Sequence, residues 1–142
     1  MSAPRALKLL AQDAEDLAVI SAALQDAVAR VEDIHFEKKA HQLTIAFNRY
    51  CWERHDKGTR VRSGLQLGCV FDLKARAVPK EDPQAVLELL ALAFEPGEAP
   101  GGRISLAFAG GADLVAEVEC IDVALADVGE PWAAPHKPKH AA

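Results

Sequence analysis

Arg103 to Val118, with the sequence RISLAFAGGADLVAEV, is the strongest indication of the fold class of this chain. Apolar residues alternate with other residues on both sides of the Gly110-Gly111 pair. An alternation with a period of two is typical of a β-strand that buries one face. A glycine pair between two such runs is typical of a hairpin turn, because glycine tolerates positive φ. The stretch therefore predicts two antiparallel strands with a shared buried face.

The same alternation extends in both directions from this hairpin. It predicts strands over 32–37 and 42–53, and a further regular strand in which Leu65, Leu67, Cys69, Phe71 and Leu73 share one face. Residues 84–95 follow the loop Pro79–Pro83 and fit either a helix or, as we favour, a turn at 83–86 and a buried strand at 87–95. The apolar parity changes after Cys120, which predicts a bulge or a crossing between sheets at Cys120–Ile121.

The N-terminal part contains the clearest helix signal. Leu7–Ala11 is a short apolar run that fits a first strand, and Asp13 then fits the N-cap of a helix with Glu15 and Asp16 in its first turn. Apolar residues recur at helical spacing from Leu17 to Val31. We therefore predict one amphipathic helix that covers an apolar surface.

These elements predict one globular domain over residues 1–132 and a flexible tail over 133–142, within the 142 residues of the chain. The fold class is α+β, with one N-terminal amphipathic helix packed on a strongly curved, mostly antiparallel sheet of about 6–7 strands. Because short connections join antiparallel neighbours, we expect a two-layer arrangement or a partly open barrel.

Charge and composition exclude several function classes. The formal net charge is −5, whereas binding to nucleic acid or to an anionic membrane needs clustered positive charge. No window offers the ~18 uncharged apolar residues of a spanning helix. The segment Met1–Arg5 lacks the apolar run of a signal peptide. We therefore expect a cytoplasmic protein with neither a nucleic-acid partner nor a membrane.

The three cysteines are Cys51, Cys69 and Cys120, which lie far apart and form no C-x-x-C motif. A disulfide framework favours an even number, and a zinc site favours clustered ligands. We therefore expect structural thiols in a reducing compartment, and neither a metal nor a cofactor.

The densest group of functional side chains lies at the end of a predicted hairpin, in residues 48–55, with Arg60 and Arg62 across from it. Aromatic and arginine side chains anchor interfaces well. The group predicts a binding face for another protein or a small anionic ligand, formed by Arg49, Tyr50, Trp52, Glu53, Arg60 and Arg62. The alternative is a solvated hairpin end in which Glu53 pairs with Arg60 or Arg62.

Two other functions stay open, although no catalytic residue is assigned. An enzyme, such as a metal-dependent hydrolase, could combine Glu53 and His55 with the carboxylates Glu117, Glu119 and Asp122. Those carboxylates could equally be solvent-exposed residues on the outer face of a strand. A homodimer that pairs through the sheet is the remaining alternative. Because no catalytic residue is assigned, we favour a non-enzymatic binding or interaction domain.

Four stretches together carry a resemblance to a family. They are Asp13–Ser21 with Leu24–Val28, Asn48–Glu53, Phe108–Gly111, and Glu117–Asp122 followed by Gly129–Trp132. The chain resembles, over residues 7–132, an uncharacterised alphaproteobacterial family known only as a domain of unknown function, number 2948 of that series. The resemblance implies a cytoplasmic bacterial protein, and it implies no activity, cofactor or catalytic residue.

Overall fold

The computed structural model describes residues 7–50, 59–128 and 132–133. The part described contains one α-helix and eleven strands, which confirms the α+β class, and the strand count exceeds the six to seven predicted. In chain order they are β1 (Lys8–Ala11), α1 (Ala14–Ala23), β2 (Val28–Arg30), β3 (Ile34–Glu37), β4 (Gln42–Tyr50), β5 (Thr59–Leu67), β6 (Val70–Arg76), β7 (Val86–Pro96), β8 (Gly102–Phe108), β9 (Asp113–Val118), β10 (Val123–Asp127) and β11 (Trp132–Ala133).

All of the strand pairs in the described residues are antiparallel, in agreement with the predicted mostly antiparallel sheet, and they follow an open path. The order is β1-β10-β5-β4-β2-β7-β8-β9-β6, with β11 paired to β5 and β3 paired to β4. The strand β7 joins two parts of the sheet, because its residues 86–88 pair with β2 and its residues 89–96 pair with β8. β1 and β6 are therefore the terminal strands of an unclosed sheet.

The helix begins as predicted and ends early. Asp13 is the N-cap, and its carboxylate accepts a hydrogen bond of 2.7 Å from the backbone N–H of Asp16. The predicted continuation to Val31 is wrong, because the helix ends at Ala23 and Asp26 then adopts a φ of 64°. Asp26 N–H donates to the carbonyl of Leu89, so pairing with β7 replaces the helical bonds that spacing alone predicts.

Residues 84–95 are resolved in favour of a strand. β7 covers Val86–Pro96, but it is exposed on one face, so the expectation of a strand buried throughout is wrong. A register shift between Leu89 and Ala91 changes the inward parity, which leaves Leu90 on the surface. The Ser21 hydroxyl of α1 accepts a 2.9 Å hydrogen bond from Leu92 N–H, next to this irregularity.

The regular run through Leu73 is two strands rather than one. The chain turns at Gly68–Cys69, where Cys69 adopts a φ of 58°, and a bulge follows at Phe71. The turn places Val70 in the core and leaves Phe71 43% exposed, the reverse of the predicted parity. A sequence pattern cannot reveal such a turn when apolar residues lie on both sides of it.

The predicted crossing at Cys120–Ile121 is confirmed. β9 belongs to the part of the sheet that β8 and β6 form, whereas β10 pairs with β1 and β5. Inward side chains of both parts form one continuous core with Leu17 and Ile20 of α1. In the part of the chain described, the helix is too short to cross a membrane.

Candidate functional site

The members of the predicted hairpin-end group differ in how deeply the structure buries them. Arg49 and Tyr50 at the end of β4 are buried, with 0% and 4% of their surfaces exposed. Arg60 and Arg62 of β5 are half-buried, and they pair with Tyr50 and Asn48 across the two strands. Trp52 and Glu53 lie outside the described residues. A surface for a partner therefore involves only Arg60 and Arg62 among the members described.

Arg49 belongs to a buried polar network centred on Asp127. Its Nε and Nη2 atoms each donate a 2.9 Å hydrogen bond to one oxygen of the Asp127 carboxylate. Ser63 Oγ donates to the same carboxylate at 2.7 Å, and the backbone N–H of Leu7 donates at 2.8 Å. A carboxylate has about four acceptor sites, so these four donors satisfy Asp127 internally. The network links β4, β5 and β10 to the residue that precedes β1, and it has a structural role.

The alternation of inward and outward residues in three strands indicates this network. Arg49 continues the inward alternation of β4 after Phe47, as Asp127 does in β10 after Leu125. Ser63 occupies an inward position of β5 between Val61 and Leu65, and it pairs directly with Asp127. Polar residues at inward positions of neighbouring strands indicate a buried polar cluster. Sequence reasoning treated Arg49 as a hairpin-end residue and overlooked Ser63 and Asp127.

We expect Asp127 to make stability sensitive to acid. Burial raises the pKa of Asp127, but the hydrogen bonds from Arg49, Ser63 and Leu7 and the charge of Arg49 outweigh it, so the pKa lies below its ordinary value of 3.8. A lowered folded-state pKa gives stability that is present above the unfolded-state pKa and is lost as pH falls through the folded-state value. Denaturant unfolding should show a constant difference between wild type and Asp127→Asn from pH 8 to pH 5, which shrinks below pH 3.8. A difference that persists unchanged to pH 2 would contradict this assignment.

Arg60 and Arg62 also have partners within the chain. Arg60 Nη1 donates to the backbone carbonyl of Asn48 at 3.1 Å. Arg62 donates to the Asn48 side chain at 3.1 Å and forms a 3.0 Å ion pair with Asp33. These contacts hold the two guanidinium groups along β4, with part of each side chain still reaching solvent. A role in binding stays a prediction for this pair.

The three carboxylates of the alternative enzyme hypothesis lie at different positions on β9 and on the connection between β9 and β10. Glu117 lies on the outer face of β9 in a 2.6 Å ion pair with Arg103, whereas Glu119 and Asp122 are exposed in the connection to β10. Glu53 and His55 lie outside the described residues. Within the described ranges, no group of three or more histidine, cysteine or acidic residues could hold a metal ion.

A shallow groove of about 480 Å³ follows the outer face of β6, β7, β8 and β9. Two ion pairs lie in the groove or at its margin. Arg103 pairs with Glu117 through a single contact and Arg76 pairs with Asp113 through a bidentate contact, with a shortest distance of 2.6 Å in each pair. The groove is lined by Lys74, Arg76, Glu95, Arg103, Ser105, Val115 and Glu117. Arg76, Arg103 and Glu117 are therefore each paired within the chain, and this groove gives no clear indication of a ligand.

A second concave site, the β3–β6 cleft, is apolar. It has a volume of about 240 Å³ and lies where the unclosed sheet leaves β3 and β6 without a strand between them. Its single charged residue is Lys80, which is exposed. The other lining residues are Val31, Ile34, Phe36, Leu73, Ala75, Val78 and Leu114. Most of these side chains are half-buried and pack against the main core from one side.

Backbone hydrogen bonds connect the segments that carry the lining of the β3–β6 cleft. Val70 N–H, at the start of β6, donates to the carbonyl of His41 at 2.9 Å. The backbone N–H groups of Val31 and Glu32 donate to the carbonyls of Ala85 and Pro83, both at 3.0 Å. These bonds fix the two rims relative to each other, so the cleft is a preformed feature of the fold. Ligand sites are typically concave, apolar and preformed.

The sequence contained only part of the signal for this cleft. Ile34 and Phe36 were recognised as one apolar face, and Leu73 as part of another. Their juxtaposition depends on the chain turn at Gly68–Cys69, which sends β6 to the far end of the strand order. The cleft could therefore not be inferred from spacing.

Comparison with known proteins gives a family and no further relative. A family model described as "Protein of unknown function (DUF2948)" matches residues 7–140. No curated protein and no solved structure matches the chain.

Proposed function

This chain belongs to the DUF2948 family of proteins of unknown function, and we propose that it is a non-enzymatic binding domain whose β3–β6 cleft takes a small amphiphile. The ligand has an unbranched apolar part and an anionic head group. The observation that carries the proposal is an apolar cleft, bordered by segments that backbone hydrogen bonds connect, with one cation in its lining.

The lining of the cleft defines the apolar part of the ligand. Half-buried side chains such as Ile34, Phe36 and Leu73 expose apolar surface that a ligand would remove from water. A methylene group needs about the volume that one water occupies, ~30 Å³, so the cleft accommodates a chain of about eight carbons. Each buried methylene contributes about 0.8 kcal/mol, from which the cost of association is subtracted. Eight carbons contribute about 6.4 kcal/mol, and an association cost of about 4 kcal/mol leaves about 2.4 kcal/mol, so we expect a dissociation constant of about 20 mM for the apolar part alone.

Lys80 defines the head group. Its ammonium group is exposed at the rim of an otherwise apolar cleft, where it complements a carboxylate or sulfonate whose tail lies inside. An exposed ion pair contributes about 0.2–1 kcal/mol, which corresponds to at most a fivefold change in affinity. Affinity should accordingly weaken as the salt concentration rises.

The test uses the fluorescence of anilinonaphthalene sulfonate and its displacement by octanoate. Wild type should enhance the fluorescence, and octanoate should reverse it. Ala75→Leu fills the cleft and should weaken both ligands at least tenfold, while Lys80→Gln should weaken them by about two- to fivefold. The matched control is Lys74→Gln, because Lys74 lies on the same strand but lines the outer groove.

Three outcomes would refute this proposal. The first is an absence of dye and octanoate binding by a wild type that unfolds cooperatively. The second is equal binding by wild type and Ala75→Leu. The third is a wild-type dimer that Ala75→Leu dissociates, which would make a second copy of the chain the occupant. A cooperative thermal transition in each variant is needed because partly folded states also bind this dye.

A further inference from the structure

Two connections run side by side where the chain passes between the two parts of the sheet. One is Gly68–Cys69 between β5 and β6, and the other is residues 119–122 between β9 and β10. Gly68 N–H donates to the carbonyl of Asp122 at 2.8 Å, and Glu119 N–H donates to the carbonyl of Cys69 at 3.0 Å. These two backbone bonds flank Cys69 and Cys120 and hold the connections in a fixed register.

The register brings two thiols into contact that are 51 residues apart in the sequence. The Sγ atoms of Cys69 and Cys120 are in hydrogen-bond contact at 3.2 Å, and both residues are free thiols that are half-buried rather than enclosed in the core. A disulfide has a sulfur–sulfur distance of about 2.05 Å, so bond formation needs the sulfur atoms to approach by about 1.2 Å. We propose that Cys69 and Cys120 form a modification site at which a hydroperoxide produces an intramolecular disulfide.

The chemistry balances with the hydroperoxide as the oxidant. The thiolate of one cysteine attacks the peroxide O–O bond, which breaks to give a sulfenic acid and, after protonation, an alcohol or water. The second thiol then displaces the sulfenic hydroxyl as water and forms the S–S bond. Two thiols are oxidised by two electrons, the peroxide is reduced, and hydrogen peroxide yields two molecules of water. Partial exposure gives a small oxidant access to both sulfur atoms.

The surroundings of Cys69 make its thiol a slow nucleophile. The hydrogen bond with Cys120, burial, and the negative charges of Asp122 and Glu119 raise the pKa of Cys69 to about 11. Because the thiolate is the reactive form, little of Cys69 is reactive at neutral pH. Cys69 therefore reacts slowly with an oxidant at neutral pH, which suits modification by a sustained exposure rather than rapid turnover. No catalytic cycle is required for this role.

The disulfide would connect the two crossings and would stabilise the fold. Linking residues 69 and 120 closes a long loop, and the stabilisation from a disulfide grows with the length of that loop. For a domain of this size we expect a rise in the melting temperature of about 10 °C. This effect is independent of whether the β3–β6 cleft binds a ligand.

The test treats the full chain with hydrogen peroxide, followed by iodoacetamide to block the remaining thiols. Tryptic digestion without reductant should give one linked pair of peptides, residues 63–74 and 104–139, at about 2 Da below the sum of the reduced peptides. The melting temperature should rise by about 10 °C and return to its initial value after dithiothreitol.

Variants identify the pair. Cys51→Ser should form the same linked peptides as wild type, whereas Cys69→Ser and Cys120→Ala should form none and show no peroxide-dependent rise in melting temperature. Cys120→Ala removes the second thiol and leaves the positive-φ position of Cys69 unchanged, so the two variants test the pair independently. Only sulfinic or sulfonic acids at both cysteines, or a linkage of either to Cys51, would overturn the proposal.

Discussion

Replacing Arg49 with methionine is expected to lower the free energy of unfolding by about 3–5 kcal/mol. The loss of stability comes mainly from leaving its partner Asp127 as an unpaired buried charge, rather than from the lost attraction between the two side chains. Asp127 is 5% exposed, and without the guanidinium group its carboxylate would be buried with only Ser63 and the backbone N–H of Leu7 as donors. An unpaired buried charge is strongly unfavourable. Urea denaturation at pH 7 measures the effect directly.

The chain contains a matched control for this substitution. Arg76 makes the same bidentate contact with Asp113, but 73% of its side chain is exposed to solvent. Water solvates the Asp113 carboxylate when Arg76→Met removes the partner, so the stability should stay nearly unchanged. The double variant Arg49→Met/Asp127→Leu should recover part of the loss, because no charge then remains buried. Equal effects of Arg49→Met and Arg76→Met would contradict the buried role of Asp127.

Substituting Gly102 with alanine is expected to cost about 2–3 kcal/mol, the second large effect. Gly102 pairs with Pro96 of β7 and Val118 of β9, so backbone surrounds it on both sides. An added Cβ atom would overlap the carbonyl oxygen of Glu95 and lie 2.8 Å from the ring of Phe94. The carbonyl belongs to a paired strand and cannot move without breaking its pairing, so the strain is retained. Thermal unfolding followed by circular dichroism measures the loss.

Gly64 is the control for Gly102, since it also lies inside a paired strand. No atom lies within 4 Å of the Cβ position there. Gly64→Ala should therefore leave stability unchanged or raise it by about 0.5–1 kcal/mol, because alanine has less backbone freedom to lose on folding. A similar loss for both substitutions would mean that close approach does not explain the glycine at 102.

The parts of the fold that the sequence predicts are those that depend on interactions between residues close together in the chain. The hairpin of β8 and β9, the hairpin of β3 and β4, and the N-cap at Asp13 were all predicted, because each depends on residues near one another in the chain. The helix was predicted too long, because Asp26 and Ala27 bond to Leu89 of β7. Local spacing contains no information about that partner.

The candidate sites divide in the same way. Arg49 was found as a functional side chain, but its burial required knowing that Ser63 and Asp127 occupy inward positions of neighbouring strands. The contact of Cys69 with Cys120 depends on two turns of the chain that meet. Odd and widely spaced cysteines predicted separate structural thiols, which is the expectation that sequence distance alone supports.

Short-range patterns in the sequence are sufficient to predict a mostly antiparallel α+β chain with an early helix and a crossing after Cys120. The reason is that alternation, capping and turn residues act over a few positions. Tertiary structure alone decided the open strand order, the β3–β6 cleft, the buried Arg49–Asp127 pair and the meeting of two thiols. Each of these depends on which distant strands become neighbours, and the free energy of that choice comes from burying one shared core.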